Sequence, residues 1–126
     1  MMAVREETEL GRMLRLCAEL RLPEVTESTS YGKPSLKVKS KSFVSVRGPQ
    51  EMVLHCPLEQ KDLLMEMAPD IYWQTAHYEG WPALLVRLDV IGDEELKLRL
   101  EDAWRFRASK RLADDYAASK GMPVAD

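Results

Sequence analysis

An α+β fold, with helices packed on one face of an antiparallel sheet, is what this 126-residue sequence predicts. Two observations carry the prediction. Apolar residues recur at helical spacing near both ends of the chain and at alternating spacing between them. The elements come in runs, in the order α, β-meander, α, β-hairpin, α, rather than in strict βα alternation.

The first helix spans about residues 4 to 20, where Leu10, Met13, Leu14 and Cys17 make one apolar stripe, and Pro23 lies beyond its end. A meander follows: Leu36 and Val38 alternate with lysines, Phe43 to Val46 forms a second run, and Met52 to His55 a third. "RGPQ" at 47 to 50 is the turn between the last two. A short helix around 58 to 67 fits Leu63, Leu64 and Met67, and Pro69 closes it. Tyr72 to Thr75 and Ala83 to Leu88 read as two further strands joined through "AHYEGWP", the second central because of its continuous apolar run. The last helix starts at Asp93, taken as its N-cap, with Glu94 and Glu95 in the first turn and Leu96, Leu100, Ala103 and Trp104 on its core face. Continuing that face reaches Arg107 and Arg111, so the helix must bend, end or overrun the sheet there.

No repeat, low-complexity tract or long linker divides the chain. One domain is expected over 1–126, with a core at about 5–112 and a C-terminal tail at 113–126. An apolar fraction of 45% and a charged fraction of 31% fit a globular domain. No apolar run approaches the roughly 20 residues that cross a bilayer, and the first residues lack a signal-peptide stretch, so a cytoplasmic location is expected, with no membrane partner. Cys17 on a helix face and Cys56 at a strand end are expected as free thiols.

The net charge of −3 is unevenly spread. Residues 28 to 50 carry Lys33, Lys37, Lys39, Lys41 and Arg47 and no acid, while residues 104 to 113 carry Arg105, Arg107, Lys110 and Arg111 and no acid. Lysines at alternate positions suit phosphate tracking, and arginines suit bidentate phosphate contacts. The bland alternatives are a wet strand face and a helix C-terminus completed by cations or paired with Asp114 and Asp115.

Three segments, "STSYGKPSLKVKSKSF" at 28 to 43, "TAHYEGWPALLVRL" at 75 to 88 and "EELKLRLEDAWRFRASKRL" at 94 to 112, resemble the MmcQ/YjbR family of small bacterial proteins. The resemblance covers roughly residues 5 to 112 and implies a fold like that of CyaY and frataxin. It implies no catalytic residues; a DNA-binding role is what the family likeness proposes. Two positions depart from the family pattern: Ser40, where members commonly have glycine, and Glu79, often basic or polar in relatives.

Two functions from different classes follow. In the first, a noncatalytic DNA-binding domain, Lys33, Lys37, Lys39 and Lys41 grip phosphates together with Arg105, Arg107, Lys110 and Arg111. In the second, Tyr31, His77, Tyr78 and Arg87 form a small-ligand or anion pocket. An exposed Trp73 or Trp81 serving a protein partner is a third possibility. His77 between hydroxyl-bearing neighbours can act as acid or base, but no nucleophile and base stand at a recognisable spacing, so the sequence leans away from an enzyme. His55, Cys56, Cys17 and His77 match no metal-ligand spacing, and neither metal nor cofactor is expected. A monomer is expected.

Overall fold

The computed structural model describes residues 7–121. Its elements are helix α1 (Glu9–Leu20), strands β1 (Val25–Ser30), β2 (Lys33–Val38), β3 (Lys41–Gly48) and β4 (Glu51–His55), helix α2 (Leu58–Met67), strands β5 (Tyr72–Trp73) and β6 (Ala83–Arg87), then helices α3 (Asp93–Arg107) and α4 (Lys110–Ser119). All neighbouring strands pair antiparallel in one open sheet of order β1-β2-β3-β4-β6-β5. The α+β architecture is as the sequence predicts, and β6 is interior.

Alternation explains the two faces. Leu36, Val44, Leu54 and Leu84 are cross-strand partners, as are Val46, Met52, Val86 and Tyr72. All of them lie in the main core with Met13, Leu16 and Cys17 of α1, Leu64 of α2, Leu96, Leu100 and Trp104 of α3, and Tyr116 of α4. The helices therefore cover one face only. The next row, Ser35, Ser45, Val53, Leu85 and Trp73, belongs to the opposite face, which no α-helix among the described residues covers.

Trp104 is fully buried, and its indole N–H donates to the Pro23 carbonyl at 2.9 Å. Its ring lies 5.1 Å from that of Tyr116, whose hydroxyl reaches the Leu20 carbonyl at 2.9 Å. Arg12 ties α1 to the β6–α3 connection, donating to the carbonyls of Leu88 (2.6 Å) and Ile91 (2.7 Å) and to Asp93 (2.8 Å).

Several expectations change. The predicted start of the first helix at residue 4 lies outside the described residues. β1 was not anticipated, because VTESTS has a single large apolar residue and sits at the sheet edge. Tyr72 to Thr75 contracts to a two-residue β5, and Thr75 instead precedes a 3-10 turn, Ala76–Tyr78. In α2 the buried side is Lys61 and Leu64 while Leu63 and Met67 face solvent. The inward stripe runs Lys61, Leu64, Met65, Ala68, with a lysine standing where an apolar residue would have revealed it. Gly92, not Asp93, caps α3; the Asp93 carboxylate is engaged by Arg12 and Arg15, whose hydrogen bonds hold it below the usual carboxylate range. The basic end of the last helix is a break: α3 stops at Arg107, and Ser109 caps α4 by accepting from the Leu112 amide at 3.2 Å. The expected tail from 113 thus continues as helix to Ser119.

Candidate functional site

On the helix-free face, Val53, Ala83 and Leu85 form a small apolar floor packed against Trp73 and Tyr78. Beside it opens a concavity of about 450 Å³. Three segments wall it. The β1–β2 turn supplies Ser30, Tyr31 and Lys33; β3 and β4 supply Ser45, Arg47, Val53 and His55; and the loop after β5 supplies His77, Tyr78 and Trp81.

Local sequence accounts for each wall. Tyr31 and Gly32 are the two turn residues between β1 and β2, at φ 52° and 78°, the pair of positive angles of a type I′ hairpin. Glycine takes such an angle without cost. Tyr31, a bulky residue in the left-handed region, is strained there, and its side chain is fully exposed. The opposite wall is the 3-10 turn and the bend after it, where Gly80 has φ 77°. Lys61 of α2 fixes that loop from behind. Only 2% exposed, its ammonium donates to the carbonyls of Tyr78 (2.6 Å) and Trp81 (2.9 Å). Burial lowers its pKa from the ordinary lysine value.

The site's charge is cationic. None of the residues lining the concavity is a carboxylate, and Lys33 and Arg47 both reach it. Arg47 is itself held by Glu51 at 2.9 Å and lies 5.7 Å from the Trp73 ring centre. His55 is pushed down to about 4, by burial first and by the charge of Arg107 second, so its imidazole is neutral at pH 7. His77 meets Tyr78 edge-on at 4.9 Å.

Of the pocket residues expected from sequence, Tyr31, His77 and Tyr78 come together here, while Arg87 is not among the walls. Its guanidinium lies over Trp73 at 4.8 Å and reaches the Pro69 and Asp70 carbonyls at 3.3 and 3.4 Å. Arg47, His55, Ser45, Trp81 and the supporting Lys61 went unassigned to this site. Arg47 and His55 lie two residues beyond Ser45 and Val53 on paired strands and so share their face, a signal readable only with the register in hand.

The basic islands divide. Lys33 and Lys37 share the open face, Lys39 sits in the β2–β3 turn at φ 56°, and Lys39 and Lys41 are exposed. Leu36 and Val38 point into the core. From the second island, Arg107 donates through Nε to the Ser42 carbonyl at 2.9 Å, which brings the end of α3 against β3. Arg105 lies 3.6 Å from Glu101 and Lys110 2.6 Å from Asp114, while Arg111 is exposed. Trp81 is 62% exposed and Trp73 only partly so.

Cys17 and Cys56 are buried free thiols, raised to about 12 and about 11 by burial. Among the described residues no group of three or more His, Cys, Asp or Glu is placed to hold a metal ion, and no helix is long and apolar enough to cross a membrane.

The sequence profile described as YjbR matches residues 20–106. The chain belongs to the YjbR family. Uncharacterized proteins of Mycobacterium bovis and Mycobacterium tuberculosis are 36% identical to it over 61 residues, 48% of this chain and 47% of theirs. The chain thus spans about half the length of the curated relatives it matches. The crystal structure of a Deinococcus radiodurans protein with a DUF419 domain is similar with a TM-score of 0.68 at 19% identity, covering 95% of this chain and 92% of that one. That likeness shows the fold. The site-forming segments from the β1–β2 turn to Trp81 fall within the matched region.

Proposed function

We propose that this YjbR domain is a noncatalytic binding domain whose site is the concavity on the open sheet face, and that its ligand is a small anion bearing a planar ring. The observation that carries the proposal is the lining itself: three large aromatic side chains, two imidazoles, Lys33 and Arg47, and no carboxylate. Apolar walls with a few convergent polar groups are the usual character of ligand sites, and stacked aromatics favour rings. Both thiols lie in the helix-side core, away from this face, so the site offers no cysteine nucleophile. A cytoplasmic location belongs to the same proposal, supported by the two free thiols.

Phenyl phosphate and inorganic phosphate, titrated side by side with tryptophan emission as readout, test it. Phenyl phosphate is expected to saturate a signal that Trp81→Phe removes, with Arg47→Gln weakening binding about tenfold. Equal weak effects of the two anions would contradict it.

A second function is duplex DNA binding through Lys33, Lys37, Lys39 and Lys41 together with Arg105, Arg107, Lys110 and Arg111. Contact of Arg107 with Ser42 favours it, since it sets the helix end beside the lysine hairpin. The partners of Arg105 and Lys110 at Glu101 and Asp114 weigh against it. Titration with duplex at two salt concentrations decides it, because phosphate contacts weaken steeply with salt.

A further inference from the structure

The open face holds more than one small ligand requires. Tyr31 stands at a hairpin tip in a backbone conformation that favours glycine or asparagine, its ring fully in water, and Trp81 stands 62% exposed on the facing rim. Neither ring is there for the core. Beyond Tyr31 the cations continue: Lys33 and Lys37 lie on the same face, two and six residues along the chain, and Lys39 follows in the next turn. No acid occurs anywhere from residue 28 to residue 50.

We propose that the open face binds single-stranded nucleic acid, one base entering the concavity between Tyr31, Tyr78 and Trp81 while the adjoining phosphates follow Lys33, Lys37 and Lys39. The proposal rests on the ring-bearing anion site above and extends it from one nucleotide to a strand. Exposed aromatics on an open sheet offer stacking to any base, and a basic track alongside gives sequence-tolerant affinity. A duplex does not meet these needs. Its base faces are stacked inside, so a base can reach a concavity of about 450 Å³ only after leaving the helix. A phosphoserine or phosphothreonine peptide or a vesicle surface satisfies the lysines but leaves Tyr31 and Trp81 without rings to stack on.

The test uses a fluorescent twelve-nucleotide oligo-dT, the same length of duplex, and thymidine monophosphate. The oligomer is expected to bind at least tenfold more tightly than the mononucleotide, and more tightly than the duplex, with affinity falling as salt rises. Tyr31→Gly, which suits the turn and so retains the fold, is expected to weaken the oligomer about tenfold. Lys37→Gln with Lys39→Gln is expected to flatten the salt slope while leaving the mononucleotide unaffected. An oligomer that binds no better than the mononucleotide overturns the strand proposal and leaves the small-anion site standing. Tighter binding of duplex overturns it in favour of the backbone grip. If phenyl phosphate, the mononucleotide and the oligomer all fail to bind, both proposals fall.

Discussion

The two faces of one sheet, built from alternate residues of the same strands, have opposite characters. On the helix side Leu36, Val44, Leu54, Leu84 and Val86 are fully buried under four helices. On the other side their immediate neighbours are Ser35, Ser45, Val53, Leu85, Arg47 and His55, and among the described residues the cover is a hairpin turn and a loop. The first face is closed by hydrophobic burial, while the second keeps aromatic and cationic groups at a solvent-open concavity. Stability and binding are thus placed on separate sides, so substitutions should separate them too.

The largest effect is expected on the closed side. Trp104→Ala removes a fully buried indole and its hydrogen bond to Pro23, and should cost roughly 3 to 5 kcal/mol in denaturant unfolding with little direct effect on ligand affinity. An unchanged unfolding midpoint would mean that the core is not organised around this residue.

The next effect comes from the open side. His55 has a folded pKa of about 4 against an ordinary 6.5, so between those values the unfolded chain binds more protons. Stability from this group is complete above about pH 6.5 and is lost as pH falls toward 4, amounting to about 2 kcal/mol between pH 7 and pH 5. His55→Gln should remove that part of the slope. A pH profile identical in the variant would contradict the burial of a neutral imidazole.

Lys61 joins the two sides, being a buried residue of α2 that anchors the site loop. Lys61→Met keeps the stem's volume and leaves the Tyr78 and Trp81 carbonyls without its ammonium, which should cost about 1 to 2 kcal/mol. Binding in the concavity should weaken as well, and amide exchange of residues 76 to 82 should quicken. Normal affinity with lowered stability would show that the loop is positioned by something else.

The smallest effect has the opposite sign. Tyr31→Gly relieves a left-handed backbone and should leave stability unchanged or raise it by about 1 kcal/mol, while ligand affinity drops. A loss of stability would mean that the exposed ring contributes to folding.

Much of the closed face could be read from sequence because it obeys two simple periods. Leu96, Leu100, Ala103 and Trp104 recur helically, and Leu36 and Val38 alternate with lysines, so α1, α3, the β2–β4 meander and the inward register of Leu36 and Val38 are legible. β1 was not, since a polar edge strand is recruited by its hairpin partner and not by its own apolar pattern. The face of α2 was misread because Lys61 is buried by two carbonyls contributed from residues 78 and 81, information absent from its own helix. The site was half visible. Tyr31, His77 and Tyr78 are legible as chemistry-bearing residues in turn or loop sequence, whereas Arg47 and His55 join them only through strand pairing, and Arg87 is diverted onto Trp73. The helix break at Ala108 and Ser109 similarly turned on a capping hydroxyl rather than on the charge of the arginines around it.

The division between the faces is tested most directly by mapping amide chemical-shift changes across residues 7–121 as thymidine monophosphate is added. The account predicts saturable changes centred on Tyr31, Lys33, Ser45, Arg47, His55 and residues 77 to 81, with the amides of α1 and α4 unmoved. Changes centred on the helices, or none at millimolar nucleotide, would contradict it.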